Sequence, residues 1–272
     1  MKVMVVDIAR CHGCFNCQIA CKDEHVDNDW FPYARPQPDM GHFWMRTELV
    51  ERGVCPKVKV AYIPTPCMHC KEPSCVKDSP SGTVYRREDG IVIIDPEKSK
   101  GHKEIVKTCP YGCIYWNSKL KIPQKCTFCA HLLDQGVIKE PRCVEACPTS
   151  ALLFGDYDKL KGLIAEKKAE VLHPEFGLQP NVYYIGLPRR FVAGTVIFGD
   201  TDECAENVSI TLMGNGKSRT VKTNNYGDFE FEGLEADQKY SVIVEYPGYA
   251  SKEIKAKTRT NVYLGEIVLA RL

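Results

Sequence analysis

The sequence predicts an α+β chain in two parts: a cysteine-rich domain over residues 1–190, then an all-β, Ig-like sandwich of about seven strands over residues 191–272. Three observations carry this division. Fourteen of the fifteen cysteines lie before residue 148, and only Cys204 lies after it. The early cysteines fall into runs of repeated spacing. From about Phe191 onward the pattern changes to short alternating apolar segments separated by turn residues, as a sandwich requires. At 272 residues the chain is long enough for two domains, each with its own core.

The first run is Cys11-x2-Cys14-x2-Cys17-x3-Cys21. Bacterial ferredoxins use this spacing to hold iron–sulfur cubes: three thiolates serve one cube and the fourth serves a second. A reciprocal run follows at Cys126-x2-Cys129-x13-Cys143-x3-Cys147-Pro148. Crossed over, the two give complete sets, Cys11, Cys14 and Cys17 with Cys147, and Cys126, Cys129 and Cys143 with Cys21. The cysteine-rich part therefore reads as a ferredoxin-like iron–sulfur domain. Structural zinc also takes four-cysteine sites with this pairing, but needs neither the third cysteine two residues on nor the proline after the last. Disulfides suit small secreted scaffolds, and nothing here reads as a signal peptide.

Taken in order, residues 1–7 read as a strand entering the first cysteine loop rather than as a targeting address. A cytoplasmic location is expected, although a chain carried across a membrane by a signal on its partner would look the same. Residues 30–36 and 42–45 are rich in aromatics and prolines. They serve either as an apolar shell around a cluster or as part of a protein–protein surface. Residues 58–64 alternate as a strand, and Cys67-x2-Cys70-x4-Cys75 follows. Where its fourth ligand should fall stands Ser79-Pro80. Arg87-Glu88-Asp89-Gly90 then signals a hairpin before the apolar residues 91–94.

A fourth run survives only as a skeleton. Counting back from Cys109-Pro110 at the ferredoxin intervals lands on Ser99, His102 and Ile105, none a good substitute for a cluster thiolate. By the crossing rule Cys109 joins Cys67, Cys70 and Cys75 in a third complete set. The site that would have used Ser79, Ser99, His102 and Ile105 has lost every ligand, and His102 reads as an ordinary polar residue. Cys113 rivals Cys109 as a ligand, with the following proline favouring Cys109. Cys55 and Cys204 read as plain thiols.

After Cys147, Asp156 and Asp158 are placed to cap a short helix carrying Leu160, Leu163 and Ile164, with Lys167 and Lys168 near its end. Pro174, Gly177, Pro180 and Pro188 mark an irregular connection. In the sandwich, Val208, Ile210 and Leu212 alternate, as do Tyr240, Val242, Val244 and Tyr246; Gly214-Asn215-Gly216 and Asn225-Tyr226-Gly227 turn; residues 262–269 close the set. No catalytic constellation occurs there, so a structural or docking role is expected. The formal net charge of +1 argues against a nucleic-acid binder, and no apolar run approaches the length of a membrane span.

These residues carry a resemblance. Residues 1–190 resemble the ferredoxin-type iron–sulfur subunits of molybdopterin oxidoreductases of the dimethyl-sulfoxide-reductase group. The likeness lies in residues 11–21, Pro66-Cys67-Met68-His69-Cys70-Lys71-Glu72-Pro73-Ser74-Cys75, Cys109-Pro110-Tyr111-Gly112, Lys125-Cys126-Thr127-Phe128-Cys129 and residues 141–149. It implies tandem ferredoxin-like units with four [4Fe-4S] clusters, in electronic contact with a large catalytic partner carrying molybdopterin guanine dinucleotide and molybdenum. This chain departs by keeping three cluster sites and by adding a C-terminal domain. Residues 191–272 resemble a carboxypeptidase-regulatory-like sandwich through Gly194-Thr195-Val196 and residues 226–231. No catalytic residue is expected in this chain. It reads as an electron-transfer subunit, with a structural subunit stapled by its clusters and a zinc-stapled interaction protein as the rival readings.

Overall fold

Residues 3–6, Val-Met-Val-Val, have no polar side chain to offer water, and all four are completely buried. They form the strand Lys2–Asp7. In the computed structural model, which describes residues 1–272, this strand is the middle of three. It runs antiparallel to Leu152–Asp156 and parallel to Val182–Ile185. A central strand covered on both faces needs such a continuous apolar run rather than alternation. Its neighbours come from beyond the last of the cysteine runs, so the sheet ties the two ends of the cysteine-rich part together.

Between them lie small elements only. The helix Asn16–His25 packs against Arg142–Glu145, and two hairpins have strands of three residues, Val84–Arg86 with Val92–Ile94 and Tyr115–Asn117 with Ile122–Gln124. The helix after Cys147 spans Tyr157–Glu166, with Leu160, Leu163 and Ile164 half-buried. Asp156 stands at its N-cap but makes no capping bond; its carboxylate is drawn instead to the Lys2 ammonium, 3.0 Å away.

The chain divides into two units. One comprises Met1–Val50 and Ala61–Leu187, the other Glu51–Val60 and Pro188–Leu272. The linear division at residues 190/191 therefore leaves out Glu51–Val60, the outer part of a hairpin formed by Arg46–Val54 and Lys57–Thr65. Within the second unit this tip is held by charge. Lys57 Nζ lies 2.9 Å from Glu230 Oε2, and Lys59 pairs with both Glu230 and Glu232 while its ammonium sits 5.7 Å from the centre of the Phe191 ring.

The rest of the second unit is the expected sandwich of seven strands. Asp228–Leu234, Arg190–Phe198 and Val262–Leu269 make one sheet; Lys217–Lys222, Ser209–Gly214, Lys239–Glu245 and Lys252–Lys257 make the other. Val192, Val196, Ile210, Phe231, Val242 and Val244 are fully buried between them. Asn215 and Gly216 both have positive φ, 53° and 69°, the backbone a two-residue hairpin needs. At Gly227, with φ +75°, an added Cβ would stand 2.2 Å from the Val196 carbonyl oxygen, so only glycine fits. No helix of the protein is long and apolar enough to cross a membrane.

Candidate metal centres

The loop that carries Cys11, Cys14 and Cys17 curls tightly, and its sequence allows it to. Gly13 has φ +74°, and a Cβ there would lie 2.4 Å from the Tyr62 ring. Phe15, also left-handed at φ 61°, starts the helix Asn16–His25 that bears Cys17 and Cys21. A small cavity is lined by Cys11, Cys14, Cys17 and Cys147, with Thr47 beside them. Burial pushes the Cys11 and Cys17 thiols up, and each also feels the like charge of Cys147. Ala151 N–H donates to Cys147 Sγ at 3.2 Å, and the Thr47 hydroxyl lies 3.6 Å from Cys17 Sγ.

Cys21 belongs electrostatically to other company. Burial raises its thiol most, then the nearby Cys126 and Cys129. Cys143 is raised by burial and then by Cys129, Cys21 and Cys126. The helix Asn16–His25 thus carries Cys17 on the wall shared with Cys11, Cys14 and Cys147 and Cys21 near Cys126 and Cys129. Phe128 and Cys129 both adopt positive φ, 52° and 51°, and the Phe128 N–H points at Cys126 Sγ from 3.4 Å.

A second cavity is lined by Cys67, Cys70, Cys75 and Cys109. Cys113, though buried, does not line it. Its place is beside Cys109, whose thiol is lowered to about 6, foremost by the hydrogen bond it accepts from Cys113; Cys113 is pushed up in return. The Cys113 thiol also lies 3.4 Å from the Pro66 carbonyl oxygen.

The four positions of the eroded run do not converge on donors. Ile105 is completely buried in an apolar cluster with Val84, Val92, Ile94 and Ile114, which also takes in Cys75. The buried hydroxyls of Ser79 and Ser99 have no partner. His102 lies at the surface, its Nδ1 2.7 Å from Glu104 Oε1. Apolar side chains fill the region around Cys75, and nothing there replaces the missing thiols.

Other features carry no signal in the sequence. Lys125, inside the Lys-Cys-Thr-Phe-Cys stretch, is almost fully buried and lines the cavity of the third set. His25, His69 and His131 are buried too. Burial, with His131 nearby, holds His25 neutral at about 3; His131 Nε2 lies 3.1 Å from Glu24 Oε1 and its ring stacks on Trp30 with centroids 4.3 Å apart. The aromatic stretch splits between its two readings: Trp44 and Met45 are buried in the core, while Phe31 is exposed, at 55%.

Whether these sets suit iron–sulfur cubes rests on donor chemistry. Each comprises four cysteines and no carboxylate; the sulfurs are mostly buried, and backbone N–H groups point at several of them, which favours thiolate over thiol. No group of three or more His, Cys, Asp or Glu side chains closes on one point as a single metal ion demands. The donor sets fit a cube better than a zinc ion.

The dicluster fold and these donors define an iron–sulfur protein, and comparison with known proteins agrees. The 4Fe-4S dicluster domain matches residues 58–157, and the carboxypeptidase regulatory-like domain matches residues 192–266. The chain belongs to the iron–sulfur subunits of the dimethyl-sulfoxide-reductase family of molybdopterin enzymes. Over nearly its whole length it is similar to the pyrogallol hydroxytransferase small subunit of Pelobacter acidigallici, at 40% identity over 275 residues and 98% of each chain. A sulfite dehydrogenase subunit of Allochromatium vinosum is 34% identical over 69% of this chain and 82% of its own. The arsenate respiratory reductase iron–sulfur subunit of a Shewanella species is 30% identical over 67% and 94%.

Proposed function

We propose that this chain is the electron-transfer subunit of a heteromeric molybdopterin enzyme, holds three [4Fe-4S] clusters, and assembles with a large catalytic chain. The observation that carries the reading is the contrast between three gathered donor sets and one apolar replacement. Cys11, Cys14, Cys17 and Cys147 would hold one cluster, Cys21, Cys126, Cys129 and Cys143 a second, and Cys67, Cys70, Cys75 and Cys109 a third. Such clusters supply one-electron transfer. The chain's own residues ligate, exclude water through their burial, and stabilise sulfur charge through the N–H groups of His69, Phe128 and Ala151.

Similarity across 98% of a small subunit of a pyrogallol hydroxytransferase supports a partner of that kind, with molybdenum and molybdopterin guanine dinucleotide on the large chain. The active site is assigned there too. A hydroxyl transfer between aromatic rings needs no net electron flow, so the clusters would set the metal's oxidation state. The sandwich, residues 191–272 together with the hairpin tip, is assigned a docking role distinct from that of the cluster domain of residues 1–190. A structural role for the clusters is the second reading, favoured by the many cysteines in the first unit's core. Rapid mixing with substrate separates the two: clusters that change redox state at the turnover rate exclude a purely structural role. The count is tested by iron and sulfide analysis of the purified complex. About twelve irons per chain are expected from three cubes; about eight or sixteen overturns the assignment.

A further inference from the structure

Lys125 is a buried cation without a carboxylate partner. It is 3% exposed, and its ammonium donates to the backbone oxygens of Val92 and of Cys126, the latter at 3.0 Å. It lines the cavity formed by Cys67, Cys70, Cys75 and Cys109, and no other charged side chain except the cysteines lines that cavity. His69, also on the wall, accepts the Val92 N–H at its Nδ1, 3.0 Å away, as a neutral imidazole does.

The neighbouring set is built differently. Lys125 precedes Cys126 and donates to its backbone oxygen at 3.0 Å, but this set also has Glu24 on the helix that carries Cys21 and Arg142 next to Cys143. Arg142 opposes Glu24 at 3.3 Å and so cancels much of its charge. Lys125 thus lines the cavity of the first set with no carboxylate beside it, whereas the second set meets it only next to Cys126 and has a Glu24–Arg142 ion pair as well. Beyond the first, where another cluster would follow, stands the apolar group around Ile105.

We propose that Lys125 biases an electron toward the site of Cys67, Cys70, Cys75 and Cys109 over its neighbour of Cys21, Cys126, Cys129 and Cys143, making that site the chain's terminal electron store. The inference rests on the three-cluster reading above. The transfer is simple in its balance: one electron leaves the neighbouring site, which is oxidised by one, and enters this site, which is reduced by one, with no proton moved. The first electron comes from a low-potential reductant, dithionite in the test. Lys125 acts as a positioning residue for charge. Added negative charge in a buried site is stabilised by a nearby fixed cation far more than at a surface.

The test is a reductive titration of the purified complex followed by electron paramagnetic resonance. A Cys70→Ser variant, with an oxygen in place of one sulfur, identifies the site by the wild-type signal it lacks. In the wild type, that signal should appear before the one identified in the same way by Cys129→Ser. Lys125→Gln should disfavour reduction of the first site about tenfold, a fall of about 59 mV for one electron, with a smaller shift at the second. Lys125→Arg, which keeps the charge, should hold the wild-type order. A full iron count with an unmoved midpoint in Lys125→Gln overturns the role of Lys125 and leaves the three-cluster reading intact. Should that variant lose iron, the wild-type order decides alone, and reduction of the Cys129 site first overturns the proposal. A wild-type complex without a cluster on Cys67, Cys70, Cys75 and Cys109 sinks both.

Discussion

The two units bury their cores by opposite means. In the sandwich, alternation along seven strands supplies two apolar faces, and residues such as Val192, Phe231 and Val244 close on one another with no exposure at all. The other unit has one short apolar strand at its centre, hairpins of three residues, and cysteines through its interior: Cys17, Cys21, Cys67, Cys70, Cys126 and Cys143 all belong to its core. The first kind of core is made by side-chain packing alone. The second has sulfur where a packed protein would place leucine, and it depends on what the sulfur holds.

The sharpest way to break that contrast is to remove the iron. All three tryptophans, Trp30, Trp44 and Trp116, lie in the cysteine-rich unit, so tryptophan emission reports on it alone. Treatment with a chelator and reductant should shift that emission to the red as the unit opens, while far-ultraviolet dichroism keeps the β signal of the sandwich. Unshifted emission from an iron-free chain would show that the thiols carry no such dependence.

A smaller effect comes from truncating one side chain in each unit. Phe231→Ala should cost the sandwich about 3–5 kcal/mol, and Ile105→Ala, in the apolar group that fills the eroded site, about 2–5 kcal/mol. Denaturant unfolding measures both. Phe231→Ala should leave the iron content unchanged, because that side chain is confined to the sandwich core; a loss of iron would contradict the independence of the two cores.

The smallest effect belongs to the hairpin tip. Burial pushes the Glu230 carboxyl up, but hydrogen bonds from Lys59 and Lys57 outweigh it and leave its pKa lowered. Burial likewise acts against the Lys59 charge, and its bonds to Glu230 and Glu232 raise it overall. A lowered carboxyl stabilises the fold above its ordinary value of about 4.5 and loses that contribution as pH falls through the folded value; a raised ammonium stabilises it below about 10.5 and loses that as pH rises. Glu230→Gln should therefore destabilise by about 1 kcal/mol or less across the middle of that window, with the difference from wild type shrinking at acid and alkaline ends. Thermal melts across pH settle this, and a pH-independent difference would mean that packing, not charge, fixes the tip.

How legible all this was differs by element. The thiol sets could be read because ligand spacing is a short-range constraint: Cys11 to Cys21 report their geometry within one loop and one helix. The sandwich strands could be read because alternation and the Asn215-Gly216 turn are local as well. What escaped were partners chosen at long range. Arg46–Val54, interrupted by Glu48, Glu51 and Arg52, has no apolar alternation, and it is a strand because Lys57–Thr65 pairs with it. Val182–Ile185 looked like irregular connection, and only its pairing with Lys2–Asp7 makes it a strand. Asp156 carried a capping signal that Lys2 overrode. The weight of Lys125 could not be seen either, since a lysine before a cysteine says nothing of its burial until Val92 is brought beside it.

The central strand has a consequence for how the protein is made. Lys2–Asp7 is synthesised well before its two partners, Leu152–Asp156 and Val182–Ile185. At roughly 5–20 residues per second, its four fully apolar residues wait on the order of ten to forty seconds for the last partner to be synthesised. Throughout that interval they are an unpaired apolar segment on a growing chain, followed closely by the four thiols of Cys11, Cys14, Cys17 and Cys21. Vectorial synthesis therefore cannot close this sheet until residue 185 has emerged, and the unit folds only after nearly all of it has been made.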